Sequence, residues 1–225
     1  MAESPLAQGE CAGLSTLNEA QKAEVERIVD EALAKQPEGP GLTHLIEHHI
    51  RVAEERPSKH KMRRYSDAVL KEARRTVEKW SVDGVIEPLA SDYSSAPVLV
   101  KKSDGTYRMC IDYRGINART GRFDGCVLDK LRGAKYIFKI HLKNAYLQVP
   151  MDRNSKKYTA FSVPGKGLYH FRTMHFGLTN APATFCRLVD APFGPEFEPN
   201  VFTYLDVIII VSSTYEEHLK WLKFV

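Results

Sequence analysis

Cysteine is scarce in this chain. The four present, Cys11, Cys110, Cys126 and Cys186, form no CxxC pair, and their spacing offers no zinc-ligand set. No disulfide framework is indicated, and reduced thiols in an intracellular protein are expected. Long apolar runs are also missing, so no segment reads as a membrane span. The opening residues Met1-Ala2-Glu3-Ser4-Pro5 lack the basic head and apolar stretch of a signal peptide. Cytoplasm and nucleus stay equally open as locations. Neither sign of charge dominates: 32 Lys and Arg stand against 28 Asp and Glu, a net +4. That balance permits nucleic-acid contact without arguing for it. Internal repeats and low-complexity tracts are absent.

What remains is an ordinary globular composition. At 225 residues, 43% hydrophobic and 27% charged, the chain can bury one sizeable core with a small appendage. Residues 1–16 are small and polar and read as frayed. From Leu17 to about Lys35, Val25, Ile28, Val29, Ala32 and Leu33 recur at helical spacing, with Ser15 or Thr16 as cap. Pro37-Glu38-Gly39-Pro40-Gly41 ends that helix and is the best linker. Leu42 to Val52 reads as extended. Ser66 caps a second helix with Val69, Ala73, Val77 and Trp80 on one face, closed by Asp83-Gly84.

From Val85 the pattern changes to short strands. Ala96–Lys102 and Tyr107–Tyr113 form a hairpin across Ser103-Asp104-Gly105-Thr106. Tyr136–Leu142 is a strand, and Lys157–Val163 pairs with Leu168–Thr173 across Pro164-Gly165-Lys166-Gly167. Asn180–Val189 is a helix with Pro182 in its first turn. Thr214 caps a last helix with Glu216 and Glu217 at its start and Lys220 and Lys223 late. Between them, Val201-Phe202 and Ile208-Ile209-Ile210-Val211 flank Tyr204-Leu205-Asp206-Val207. Two apolar strands around an acidic tip can hold carboxylates for divalent cations.

Six segments occur in a telling order: Val85-Ile86-Glu87-Pro88, Val98-Leu99-Val100-Lys101-Lys102, Arg108-Met109-Cys110-Ile111-Asp112-Tyr113-Arg114-Gly115-Ile116-Asn117, Leu142 to Met151, Phe176-Gly177-Leu178-Thr179-Asn180-Ala181-Pro182-Ala183-Thr184-Phe185, and Tyr204-Leu205-Asp206. Together they resemble the reverse transcriptases of gypsy-type LTR retrotransposons, from roughly Gly41 to Val225. The resemblance implies an α+β fold: a polymerase palm with partial fingers, its antiparallel sheet packed on helices; the helical spacing before Gly41 adds an N-terminal helical extension. Three regions are expected: residues 1–40, a helical extension and linker; 41–84, a pre-polymerase extended segment and helix; and 85–225, fingers and palm, ending before thumb and RNase H. Between Thr120 and Leu128 the family's proline-containing segment is shortened here.

The family's chemistry is an in-line attack of a 3′-hydroxyl on a nucleotide's α-phosphate, with two Mg²⁺ ions steadying the attacking and leaving oxygens. The resemblance implies one aspartate before Leu142 and a pair in the hairpin. This chain has His141 at the first position, keeps Asp206, and has Val207 at the next. Asp206 is the remaining catalytic and metal-binding carboxylate; His141 and Val207 are substituted positions. Mg²⁺ wants oxygen ligands in a strict octahedron, imidazole is a poor substitute, and valine offers nothing. Binding of Mg²⁺ is therefore doubtful. The blander reading of His141 is a neutral side chain filling a former metal cleft.

On the substrate side, the resemblance implies that Lys101 and Arg108 hold the triphosphate, as a point charge and a forked guanidinium suit phosphate oxygens. Taken alone they are two solvated charges on a hairpin. Tyr146 matches the aromatic under the sugar that excludes a 2′-hydroxyl; alone it is a core tyrosine. Phe176 and Gly177 match the loop that shapes the nucleotide pocket; alone they are a turn. Lys59, Lys61, Arg63 and Arg64 belong to a basic stretch that can touch a nucleic-acid backbone or serve as a solvated connector. His48 and His49 leave opposite faces of an extended segment, which argues against a shared metal.

The reading is a retrotransposon-derived, catalytically inactive reverse-transcriptase-like domain that retains nucleic-acid or nucleotide binding. Its alternatives are an active RNA-directed DNA polymerase fragment, and a co-opted protein-interaction domain or decayed gene copy. RNA, DNA, a deoxynucleotide or a protein on uncovered palm surface are the candidate partners.

Overall fold

The computed structural model describes residues 7–12, 17–35, 41–60, 63–121, 134–142, 144–193, 197–204 and 207–225. The linker at 36–40, Lys61, most of the shortened segment and Asp206 lie outside them. Two compact units divide the chain. One comprises Met1–Gly41, Asp124–Ala145 and Phe185–Val225; the other comprises Leu42–Phe123 and Tyr146–Thr184.

The first unit is built on a four-stranded antiparallel sheet. Strand β1 (Ala7–Ala12) pairs with β5 (Tyr136–Leu142), β5 with β9 (Val207–Ser212), and β9 with β8 (Val201–Tyr204). Alternation sets the faces: Phe138 pairs with Ile210 and both are buried. Helix α1 (Glu19–Ala34) buries Val25 and Ile28, and helix α5 (Tyr215–Phe224) buries His218 and Leu222. The two helices meet where the Tyr215 hydroxyl donates to the Gln21 carbonyl at 3.2 Å and to Glu24 at 3.1 Å. Burial, with the Glu24 bond second, pushes that phenol up to about 12. His218 Nδ1 lies 2.9 Å from the Ser212 hydroxyl, tying α5 to the end of β9.

Two expectations for this unit need correction. Residues 7–12 form a strand instead of fraying, because β5 presents an edge of backbone donors and acceptors that this segment satisfies. The cap of α1 is Asn18, not Ser15 or Thr16. Its side chain accepts from the Gln21 amide at 2.9 Å while the Gln21 side chain accepts from the Asn18 amide at 3.0 Å, a complete capping box.

The second unit holds a three-stranded sheet, β2 (Ile86–Pro88), β7 (Gly167–Phe171) and β6 (Phe161–Val163), and a two-stranded ribbon, β3 (Ala96–Lys101) with β4 (Tyr107–Asp112). Helix α2 (Asp67–Val82) buries Ala73 and Val77 and ends at Gly84, whose φ of +68° is the left-handed conformation glycine adopts freely. Trp80 of α2 sets its ring edge-on to Phe161 at 6.3 Å and Phe171 at 5.4 Å, both fully buried. Between Asp152 and β6 the chain departs from the expected strand. Lys156–Thr159 is a 3-10 turn, because Asp152 Oδ2 accepts from the Ser155 amide and hydroxyl at 3.0 and 2.9 Å and starts a helical path. Helix α3 (Arg114–Asn117) belongs to this unit; helix α4 (Ala181–Asp190), which begins in it and continues into the first from Phe185, buries Ala181, Phe185 and Val189.

Candidate functional site

The β8–β9 hairpin forms as its sequence predicts, with Tyr204 opposite Val207. Asp206 lies outside the described residues. On the other side of β9, Val207 stands directly opposite His141 of β5. Directly opposed residues carry Cβ atoms about 4.5–5.5 Å apart. The two substituted positions are therefore neighbours, on the sheet face opposite the Phe138–Ile210 core pair. His141 is exposed and Val207 half-buried. An imidazole beside an isopropyl group supplies one borderline nitrogen and no oxygen. These residues do not fit a pair of Mg²⁺ ions, each of which needs several hard oxygen ligands.

The second unit carries the residues expected on the nucleotide side. A 3-10 turn, Ala145–Gln148, carries Tyr146, which is buried and stacked on Phe176 with ring centroids 4.8 Å apart and planes at 30°. Phe176 is 45% exposed, so one ring face backs onto Tyr146 while much of the side chain meets solvent. Gly177 holds φ at +91°, which a side-chain-bearing residue adopts only with strain. The loop is pinned from both ends by Asn117. Its Nδ2 donates to the Gly177 carbonyl at 2.7 Å, and its Oδ1 accepts from the Thr179 amide at 3.0 Å. Beneath the loop sits His175, buried among Trp80, Tyr113 and Phe171, with centroid distances of 5.7, 5.8 and 4.0 Å. Burial pulls its imidazole down to about 4, so it is neutral.

The ribbon carries the phosphate-gripping candidates, both exposed. Arg108 stands opposite Val100 and Lys101 opposite Tyr107. Adjacent ladder positions leave opposite faces, so the two cations bracket the ribbon tip instead of lying side by side. The turn between them is locked by Asp104 Oδ1, which accepts from the Thr106 amide at 2.9 Å and hydroxyl at 2.6 Å. At the far end of β4, Asp112 binds the Arg114 guanidinium through both oxygens at 2.8 and 2.7 Å. The Arg114 bond holds the Asp112 carboxyl down at about 2.

The basic stretch is partly consumed by internal pairing. Arg63 reaches Asp112 at 3.2 Å and Lys59 reaches Asp92 at 3.7 Å, while Arg64 is exposed. His48 and His49 do leave opposite faces: His48 is buried with Nδ1 2.9 Å from the Thr184 hydroxyl, and His49 is exposed. Sequence reasoning assigned no role to Asn117 or His175. The available signal for Asn117 was an amide-bearing residue closing a short helix after a strand, which is too common to single out.

A palm-type antiparallel sheet with a β-hairpin, joined in sequence to a fingers ribbon and an aromatic-glycine loop, defines the class of nucleic-acid polymerases. The model of the family "Reverse transcriptase (RNA-dependent DNA polymerase)" matches residues 100–225, and the chain belongs to that family. A retrovirus-related Pol polyprotein from transposon 412 of Drosophila melanogaster is 29% identical over 88% of this chain and 17% of its own length. The corresponding polyprotein from transposon gypsy of the same organism is 32% identical, covering 61% of this chain and 14% of its own length. The chain thus spans under a fifth of these curated relatives. Among solved structures, a foamy viral protease-reverse transcriptase in complex with RNA/DNA hybrid shares the fold at a TM-score of 0.74 and 24% identity, over 92% of this chain and 29% of that one.

Proposed function

We propose that this reverse-transcriptase-like domain does not polymerise nucleotides and acts by binding nucleic acid or nucleotide through its second unit. The observation that carries the reading is the pairing of His141 with Val207, which puts an imidazole and an isopropyl group at two of the three carboxylate positions the family resemblance implies. Loss of a metal pair removes most of the stabilisation of the charge that develops in phosphoryl transfer, within an enzymatic enhancement of typically about 10⁶-fold or more. Asp206 alone retains a carboxylate in this reading.

The binding half of the reading is supported by Lys101 and Arg108 on the ribbon and by the Tyr146–Phe176 stack. An exposed aromatic face offers a stacking platform for a base or sugar, and Lys101 and Arg108, on opposite faces of the ribbon, each offer a separate cation to phosphate oxygens. Lys59, Arg63 and Arg64, with Lys61 in the same stretch, add positive charge along the sequence, although two of them are already engaged by carboxylates. That a structural relative was solved with RNA/DNA hybrid supports a nucleic-acid partner.

Primer extension on an RNA template, together with salt-dependent binding of the same duplex, tests the proposal. No incorporation above a heat-killed control, with affinity that falls as salt rises, is the expected result. Incorporation by the unaltered chain overturns the inactive reading, and affinity indifferent to salt overturns the binding one.

A further inference from the structure

Independently of the polymerase reading, we propose a transition-metal site in the second unit, formed by Glu47, His49 and Asp152, for a borderline ion of the Zn²⁺ class. These residues play no part in the functions argued above.

The backbone brings the three together. On the extended segment 47–49, Glu47 and His49 are two residues apart and leave the same side, while His48 between them turns inward. That segment is zipped to residues 150–152: the His48 amide donates to the Pro150 carbonyl at 2.8 Å, and the Asp152 amide donates to the His48 carbonyl at 3.1 Å. Two bonds from Ser155 orient the Asp152 carboxylate. One donor atom from each of the three side chains lies within 4.8 Å of the others, and His49 Nδ1 is 3.6 Å from Asp152 Oδ2. Zn²⁺ bonds of about 2.0–2.2 Å require donors somewhat closer than that. Glu47 and His49 are exposed, so their rotamers can close the gap.

A separate observation points to the same ion. Glu47 and Asp152 line a pocket whose wall includes His170. His170 is 8% exposed, its Nε2 is 2.8 Å from Glu87 Oε1, and its Nδ1 has no hydrogen-bond partner. A carboxylate on one ring nitrogen fixes the tautomer that leaves a lone pair on the other. That is the arrangement a metal-ligating histidine takes, in a pocket that Glu47 and Asp152 also line. Three carboxylates, Glu47, Glu87 and Asp152, face Arg153 and Lys156 there, and Lys156 is already bound to Glu87 at 2.8 Å. The mix of imidazole nitrogen and carboxylate oxygen selects Zn²⁺ or a neighbour over Mg²⁺, which prefers oxygen alone. Bound metal would fasten segment 47–49 to 150–152 through side chains as well as backbone.

Titration of the whole chain with ZnCl₂ by calorimetry, paired with thermal melting and with the visible absorption of added Co²⁺, tests the site. His49→Gln and Glu47→Gln alter exposed side chains, and their folding is checked by circular dichroism. Each is expected to weaken saturable Zn²⁺ binding by about tenfold or more, with the Co²⁺ band reduced in step. His44→Gln, altering an exposed histidine nearby in sequence, is expected to bind as the unaltered chain does. Absence of saturable Zn²⁺ binding overturns the proposal, and so does unchanged affinity in both His49→Gln and Glu47→Gln.

Discussion

The paired strands β5 and β9 and the Phe176–Gly177 loop make opposite use of the same ancestry. At the loop, several local devices hold the backbone in place: a glycine at positive φ, an asparagine clamp, an aromatic stack and a buried neutral histidine. At the strands, register and core are equally intact, yet the two side chains at positions 141 and 207 carry no carboxylate. The difference teaches that backbone geometry and metal chemistry are separable. A sheet needs β-branched and aromatic residues to hold its register, and His141 and Val207 satisfy that need as well as aspartates would. If the proposed loss of the metal pair is right, these substitutions have left the fold untouched.

Restoring the carboxylates gives the largest expected effect on this contrast. His141→Asp with Val207→Asp is expected to bring Mg²⁺ binding and primer extension from background to a measurable rate, a gain of several orders of magnitude. Equal incorporation by the unaltered chain would erase the contrast from one side. A folded double variant that still binds no Mg²⁺ would erase it from the other, since the strands would then lack more than two side chains. A smaller effect tests whether the binding unit stands on its own core. Phe171→Ala removes a fully buried ring that packs on Trp80 and His175. It should cost about 3–5 kcal/mol in urea denaturation and take triphosphate binding with it. Binding that survives at full strength would detach the loop from that core.

The Asn117 clamp sharpens the comparison further. Asn117→Ala leaves the Gly177 carbonyl and Thr179 amide without their side-chain partner, at a cost of about 1–3 kcal/mol. The loss should appear as weaker fluorescent-nucleotide binding together with a melting temperature lower by several degrees. A drop in melting temperature without any change in binding would make the clamp structural only.

Much of this was legible in the sequence where local chemistry decides. The strand Tyr136–Leu142, the ribbon turn at Ser103–Thr106 and the Thr214 cap of α5 follow from alternation, an Asp-Gly turn and a hydroxyl before a helix. Strand β1 was not legible, because Ala7-Gln8-Gly9-Glu10-Cys11-Ala12 has low strand propensity and forms only against the β5 edge. The 3-10 turn at Lys156–Thr159 was hidden for a similar reason: one carboxylate, Asp152, redirects a segment that otherwise reads as strand. Among site residues, motif order singled out 141, 146, 176 and 207 as candidates. It did not show that Lys101 and Arg108 leave opposite ribbon faces, since that depends on the pairing register.

The smallest expected effect concerns Asp112, which anchors the base of the ribbon. Its carboxyl is held at about 2 in the folded chain, chiefly by the Arg114 bonds, against about 3.9 when unfolded. A depressed carboxyl contributes stability that is complete above the unfolded value and is lost as pH falls toward the folded one. The window is therefore about pH 4 down to about pH 2. Arg114 is largely in water, which screens the pair and limits its contribution to about 1 kcal/mol. Urea midpoints of the unaltered chain and Asp112→Asn should differ by that amount near neutrality, and the gap should close through the window. Other carboxylates also protonate there, but they do so in both proteins, so the difference isolates Asp112. A gap that stays constant down to about pH 2 would mean the ribbon base is held by packing around Asp112 and not by its charge.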